Sequence, residues 1–352
     1  MNHILHVVGA RPNFVKAAPV LRAIRQRGIR QTLVHTGQHY DRNMSDVFLT
    51  QLEIPDPDFN LAVGSGSHAT QTAQIMLRLE PVILESKPDI TLVYGDVNST
   101  VAAALVCSKL LVPVGHVEAG LRSFDRTMPE EINRIVTDRL SDVLFTSSED
   151  GEINLLREGV AKERIHFVGN VMIDSLIRLL PAAKSCKNRP AERFALVTLH
   201  RPSNVDDVET LQGILHSLTK VSKDLDIIFP VHPRTRQRLS EFGITCKNLR
   251  LLDPMPYIEF LALQSCATVV ITDSGGIQEE TTYLGIPCLT LRSNTERPIT
   301  VSAGTNILVG DDRTSLITEL GKILEGKPKK GITPPLWDGC SGDRIADILQ
   351  RM

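Results

Sequence analysis

The sequence predicts an α/β protein built from two Rossmann-like domains in tandem, with parallel sheets and a cleft between the domains. Three observations carry this reading. At 352 residues the chain exceeds one core of ordinary size. Short runs that are apolar on consecutive positions recur along it, each closed by a polar or glycine-containing turn and followed by a stretch of helical period. Strands of this kind are buried on both faces, as in a parallel sheet covered by helices. The pattern pauses at SCKNRPAERF (185–194), a polar, proline-containing stretch suited to a linker, and then starts again.

In the first half the strand-like runs are ILHVVG (4–9), QTLVHTG (31–37), ITLVYGD (90–96), VPVGHVE (112–118) and DVLFTSS (142–148). In the second half they are ALVTLHR (195–201), DIIFPVHP (226–233), LRLLDP (249–254), ATVVITDSGG (267–276) and GIPCLTLR (285–292). In such sheets ligands bind outside the carboxyl ends of the strands. Those ends carry GARP (9–12), GDVNST (95–100), HVEAG (116–120), LHRPSN (199–204), HPRTR (232–236) and DSGGIQEE (273–280).

Composition narrows the function. With 39 basic against 41 acidic residues there is no broad field for nucleic acid or a membrane surface, so a bound anion needs a local site. Six cysteines lie scattered without CxxC or Cys/His spacing, which argues against structural zinc and a disulfide framework. Reduced thiols, the absence of a leader-like start and the absence of a long apolar stretch predict a soluble cytoplasmic protein.

At DSGG, Ser274, Gly275 and Gly276 open a helix after an apolar strand. Glycines let the backbone approach a ligand, and the helix end favours a phosphate; the plainer reading is a capped helix start. Neither GxGxxG nor a Walker lysine is present. Arg11 and Lys16 lie at the first helix, where cations oppose the dipole and an offsetting anion is expected, although Lys16 taken alone reads as solvent-facing. With Arg297 they form a candidate diphosphate clamp. His200 ends a strand. Asp96 has turn and capping chemistry as its plainer reading. Glu118 closes an apolar run, where a buried charge is costly without a partner. At TMPEEINR (127–134), Pro129 suits the first helical position, and Glu130 and Glu131 suit the first turn. The helix beyond is expected to use Ile132, Ile135, Val136 and Leu140 as its apolar face.

Taken together these stretches resemble the nonhydrolysing UDP-N-acetylglucosamine 2-epimerases. The resemblance runs from GARPNFVKAAPV (9–20) through HTGQHYD (35–41), VYGDVNST (93–100), HVEAGLRS (116–123), MPEEINR (128–134), FVGNVMID (167–174), VTLHRPSN (197–204) and VHPRTR (231–236) to ITDSGGIQEE (271–280) and NTERP (294–298). It implies the GT-B fold, with a first domain of residues 1–169 plus 341–352 and a second of 170–340. It implies interconversion of UDP-N-acetylglucosamine and UDP-N-acetylmannosamine through loss of the carbon-2 proton and elimination of UDP to 2-acetamidoglucal, then re-addition. No metal or other cofactor is implied.

The resemblance makes Asp96, Glu118, Glu130 and His200 the catalytic group, with Glu130 rather than Glu131 facing the sugar. It assigns UDP to Arg11, Lys16, Phe260, Ser274, Gly275, Gly276, Glu280 and Arg297. Clustered carboxylates are expected to raise one another's pKa, which suits proton transfer at carbon 2. A homodimer serving surface-polysaccharide synthesis is also implied. Gln38 and His39 match an allosteric motif of bacterial members, but VGSGSHATQTAQ (63–74) lacks the accompanying arginine. Four other functions stay open. They are an epimerase of UDP-2,3-diacetamido-glucuronic acid, a hydrolysing epimerase, a GT-B glycosyltransferase and a noncatalytic nucleotide-sugar binder.

Overall fold

The computed structural model describes residues 1–37, 50–187, 190–221, 225–246, 248–310 and 312–352. Gln38 and His39 lie outside the described residues, as does most of HTGQHYD. The chain divides into two compact units, 1–178 with 335–352, and 179–334. The first division falls inside the helix Val171–Lys184, just beyond the expected change at 169/170.

Unit 1 is built on β1 (His3–Val8), β2 (Arg30–His35), β3 (Phe59–Asn60), β4 (Ile90–Tyr94), β5 (Val114–Ala119), β6 (Val143–Thr146) and β7 (Ile165–Phe167). They pair in the order β3-β2-β1-β4-β5-β6-β7, all parallel. Unit 2 repeats the plan with β8 (Phe194–Thr198), β9 (Asp226–Pro230), β10 (Arg250–Leu252), β11 (Val269–Thr272), β12 (Cys288–Thr290) and β13 (Asn306–Leu308), ordered β10-β9-β8-β11-β12-β13. The central strands are buried along their whole length, which is why they read as continuous apolar runs. β3, β7 and β13, absent from the sequence reading, are sheet-edge strands of two or three residues, too short to show a period.

In each sheet the strand order reverses beside its first strand, between β1 and β4 in unit 1 and between β8 and β11 in unit 2. Crevices of this kind receive ligands in open α/β sheets. One core packs Leu5, Val7, Val93, Ile75, Leu79 and Val106; the other packs Val197, Phe229, Val269, Ile271 and Leu289. The helix Ser341–Arg351 belongs to unit 1, where it buries Ile345, Ala346 and Leu349. Its start is tied by Gly342 N–H donating to Asp174 Oδ2 at 2.8 Å, and its flank by Arg27 donating to Asp343 and Asp347 at 3.1 and 3.0 Å.

The helix Pro129–Leu140 corrects one expectation. Its fully buried residues are Glu131, Asn133, Arg134, Thr137 and Asp138, while Ile132 is 38% exposed and Ile135, Val136 and Leu140 are only half-buried. The helix turns its polar face inward because that face meets the turns after β4 and β5, where charged groups are already buried.

Candidate active site

The unit 1 site forms at the carboxyl ends of β4 and β5. After Tyr94 the chain turns at Gly95 with φ of 62° and presents Asp96. A Cβ on Gly95 would stand 2.6 Å from Lys16 Nζ and 3.1 Å from Glu118 Oε2, so a side chain here would push those groups apart. Glu118 itself has φ of 75°, a left-handed conformation that costs a non-glycine residue on the order of 1 kcal/mol. It occupies a bulge, since Val117 pairs with Phe145 and Ala119 with Thr146. Bulges re-aim a side chain, and here they turn Glu118 toward the switch point.

Lys16 is not solvent-facing: it is 4% exposed and forms an ion pair with Glu118, itself 5% exposed. A buried carboxylate at the end of an apolar strand requires such a counter-charge. Asp96 accepts from Arg134 Nη1, and its backbone carbonyl accepts from Asn133 Nδ2 at 2.9 Å. Asp96 and Glu118 are each met by a cation, so the expected carboxylate cluster is interleaved with positive charge.

Glu131 is 1% exposed and accepts from Ser123 N and Oγ, Phe124 N, and Arg134 Nε and Nη2 at 2.6–3.1 Å. Glu130 is half-exposed on the same first helical turn. Arg11 begins the helix Arg11–Gln26, and its side chain lies outside the described residues.

In unit 2, His200 follows β8 and Asp273 follows β11, on the two sides of the second switch point. His200 Nδ1 lies 2.9 Å from Asp273 Oδ1, and Asp273 also accepts from the backbone N–H of His200 and Arg201 and from Asn204 Nδ2. Burial opposes ionisation of Asp273, but the His200 ring and these N–H donors outweigh it and lower the carboxyl to about 2. The His200 ring, 40% exposed, is thus oriented by a buried carboxylate. It lines a cavity of about 150 Å³ shared with His232, Met255 and Phe260.

Ser274 is the N-cap of the helix Gly275–Leu284 and makes no side-chain cap bond, leaving the first-turn N–H groups to another partner. A Cβ on Gly275 would stand 2.4 Å from Arg297 Nη1. Arg297, 5% exposed, is ion-paired with Glu296 and lies 3.0 Å from Glu279. Arg297 and Arg292 beside Glu296 overcome its burial and hold it well below the usual carboxylate range.

Glu280 is 3% exposed and accepts from the Tyr257 hydroxyl at 2.6 Å. Burial pushes its carboxyl up to about 7 against that hydrogen bond. A carboxyl whose folded pKa is raised adds stability that is complete below its unfolded pKa of about 4.3 and is lost as pH rises through the folded value. The wild type is therefore expected to lose thermal stability between pH 5 and pH 8 relative to Glu280→Gln. Melting curves of both proteins at the two pH values check this; parallel shifts would exclude it.

The sequence reading missed Arg134 and Asp273, whose contacts to Asp96 and His200 cross 38 and 73 positions, and Glu296, which is held between Arg292 and Arg297. A model of the family described as UDP-N-acetylglucosamine 2-epimerase matches residues 22–350. The chain belongs to the UDP-N-acetylglucosamine 2-epimerase family. A UDP-N-acetylglucosamine 2-epimerase of Methanocaldococcus jannaschii is 43% identical over 97% of both chains. The crystal structure of the Methanocaldococcus jannaschii UDP-GlcNAc 2-epimerase in complex with UDP-GlcNAc and UDP superposes with a TM-score of 0.93, at 43% identity, over 99% of this chain and 100% of that one. A UDP-2,3-diacetamido-2,3-dideoxy-D-glucuronate 2-epimerase of Pseudomonas aeruginosa is 41% identical over 99% of both chains. The fold of this 2-epimerase family chain is of the GT-B type, two parallel-sheet α/β units. Among the described residues no helix is long and apolar enough to cross a membrane, and no group of three or more His, Cys, Asp or Glu is placed to hold a metal.

Proposed function

We propose that the protein interconverts UDP-N-acetylglucosamine and UDP-N-acetylmannosamine without a cofactor. The observation that carries the proposal is the convergence of Glu118, aimed by its bulge, with Lys16 beside the Gly95–Asp96 turn. Carbon 2 must lose a proton on one face and regain it on the other, so acid/base groups must flank the sugar. Asp96, Glu118 and Glu130 take that role. As a base removes the carbon-2 proton, the C–H electrons form the C1–C2 double bond, and UDP leaves with the C1–O electrons. Protonation of the glucal on the opposite face, with return of a UDP oxygen to carbon 1, completes the epimerisation.

Lys16 and Arg11 in unit 1, and Arg297 with the helix start at Ser274, Gly275 and Gly276 in unit 2, supply the cations and N–H groups suited to the developing charge of a departing diphosphate. His200, oriented by Asp273, supplies a further proton-carrying group, and Phe260 and Glu280 contact the nucleoside. Incubation with UDP-N-acetylglucosamine in heavy water is expected to place deuterium at carbon 2 of both sugars, read by NMR. Absence of deuterium in both would sink the reaction on this substrate. The Pseudomonas aeruginosa relative favours a second reading, the same reaction on UDP-2,3-diacetamido-glucuronic acid, and incorporation into that sugar alone would select it.

The working form is read as a homodimer, a proposal supported by Leu77 and Leu84, exposed one heptad apart on the helix His68–Ser86. A cytoplasmic role in surface-polysaccharide synthesis belongs to the same proposal.

A further inference from the structure

Beneath the unit 1 acids lies a buried charged assembly that the proposed reaction does not use. His116, on β5, is 0% exposed, and Asp138, on the helix Pro129–Leu140, is 1% exposed. Burial opposes ionisation of Asp138, but the His116 ring and Arg122 outweigh it and hold the carboxyl below its ordinary value. His116 Nδ1 is 2.6 Å from Asp138 Oδ1, and His116 Nε2 is 2.8 Å from the carbonyl oxygen of Gly95. The second carboxylate oxygen, Oδ2, accepts from Gly120 N–H at 3.1 Å and lies 2.7 Å from Arg122 Nη1.

These contacts have a direction. A carbonyl only accepts, so Nε2 donates to Gly95; an ionised carboxylate only accepts, so Nδ1 donates to Asp138. The imidazole is therefore a two-headed donor stretched between the helix and the turn that presents Asp96. Through Gly120 the same carboxylate fixes the residue two places beyond Glu118, on the far side of its left-handed bulge. It sits two helical turns along from Glu130. One buried carboxylate thus holds in register the three segments that carry Asp96, Glu118 and Glu130. A hydrophobic pair of similar volume would fill the space and avoid the desolvation cost, but would not fix the distances between the two turns and the helix.

We propose that Asp138 and His116 are positioning residues for the epimerisation, setting the placement of Asp96 and Glu118 through the Gly95 carbonyl and the Gly120 N–H. The inference rests on the reading of Asp96 and Glu118 as acid/base groups. Because a misplacement of about 1 Å costs on the order of 10²-fold in rate, Asp138→Asn is expected to lose about 100-fold in kcat on UDP-N-acetylglucosamine while KM and UDP affinity stay within about twofold. His116 separates positioning from space-filling. His116→Gln keeps a donor where Nε2 meets Gly95, whereas His116→Asn keeps one only where Nδ1 meets Asp138. The Gln variant is expected to retain about tenfold more kcat than the Asn variant at similar KM.

The proposal is overturned if folded Asp138→Asn turns over within about twofold of wild type, or if the two His116 variants lose kcat equally. Should the variants fail to fold, NMR coupling across the hydrogen bond from His116 Nε2 to the Gly95 carbonyl of the wild type decides: a detected coupling supports the proposal, and an Nε2 that does not donate to Gly95 overturns it. Asp96→Asn serves as the control. Wild-type turnover in Asp96→Asn would remove the catalytic reading itself. Inactive Asp96→Asn beside fully active Asp138→Asn would remove only the positioning role.

Discussion

Glu130→Gln is expected to lower kcat by about 10²–10⁴-fold, the usual contribution of a positioned acid or base, with UDP affinity unchanged. The carboxylate is half-exposed on the first turn of the helix Pro129–Leu140, next to the turn of helix whose Asn133 and Arg134 hold Asp96. Among the described residues no buried group depends on it, so the folding free energy is expected to stay within about 0.5 kcal/mol of wild type, as for ordinary surface substitutions. Initial rates and UDP titration calorimetry on the same preparation check both halves. A variant with near wild-type turnover would remove Glu130 from the acid/base set.

Glu131→Gln, one residue further on, is expected to fail in the opposite way. Its carboxylate satisfies the backbone N–H groups of Ser123 and Phe124, the Ser123 hydroxyl and two guanidinium nitrogens of Arg134. An amide removes the charge and turns an NH₂ group toward donors. Arg134, 2% exposed, then loses a carboxylate partner and keeps Asp96. Breaking a buried ion pair from one side costs ~3–5 kcal/mol, which urea unfolding at neutral pH reads directly.

Acid is expected to erase the difference between wild type and Glu131→Gln. Burial raises the Glu131 carboxyl, but the Ser123 N–H, Arg134 and the Phe124 N–H outweigh it and lower it below the ordinary value. A lowered folded pKa gives stability that is present above the unfolded value of about 4.3 and is lost as pH falls through the folded one. The gap between the two proteins should close in that acid range. Equal stability of the two at pH 7 would contradict the structural assignment of Glu131.

The central strands were legible because burial on both faces leaves continuous apolar runs. The helix Pro129–Leu140 was misread in its packing face. Apolar periodicity was taken to point inward, yet the inward face carries Glu131, Arg134 and Asp138. Lys16 was misread for a related reason: its partner Glu118 is 102 positions away, and no local pattern announces an ion pair of that span. Asp273 was visible only as part of a glycine-containing turn, while its duty to His200 crosses 73 positions.

The return of residues 335–352 to unit 1 has a consequence for synthesis on the ribosome. Residues 179–334 include every segment that unit 2 needs, so that unit can close while its own successor sequence is still being made. Unit 1, although translated first, lacks the Gly342 N–H that Asp174 accepts from and the Asp343 and Asp347 carboxylates that Arg27 meets until the Ser341–Arg351 helix emerges. The earlier-made unit thus completes its packing last, and a chain released before residue 335 would hold every segment of the second unit while lacking the closing helix of the first.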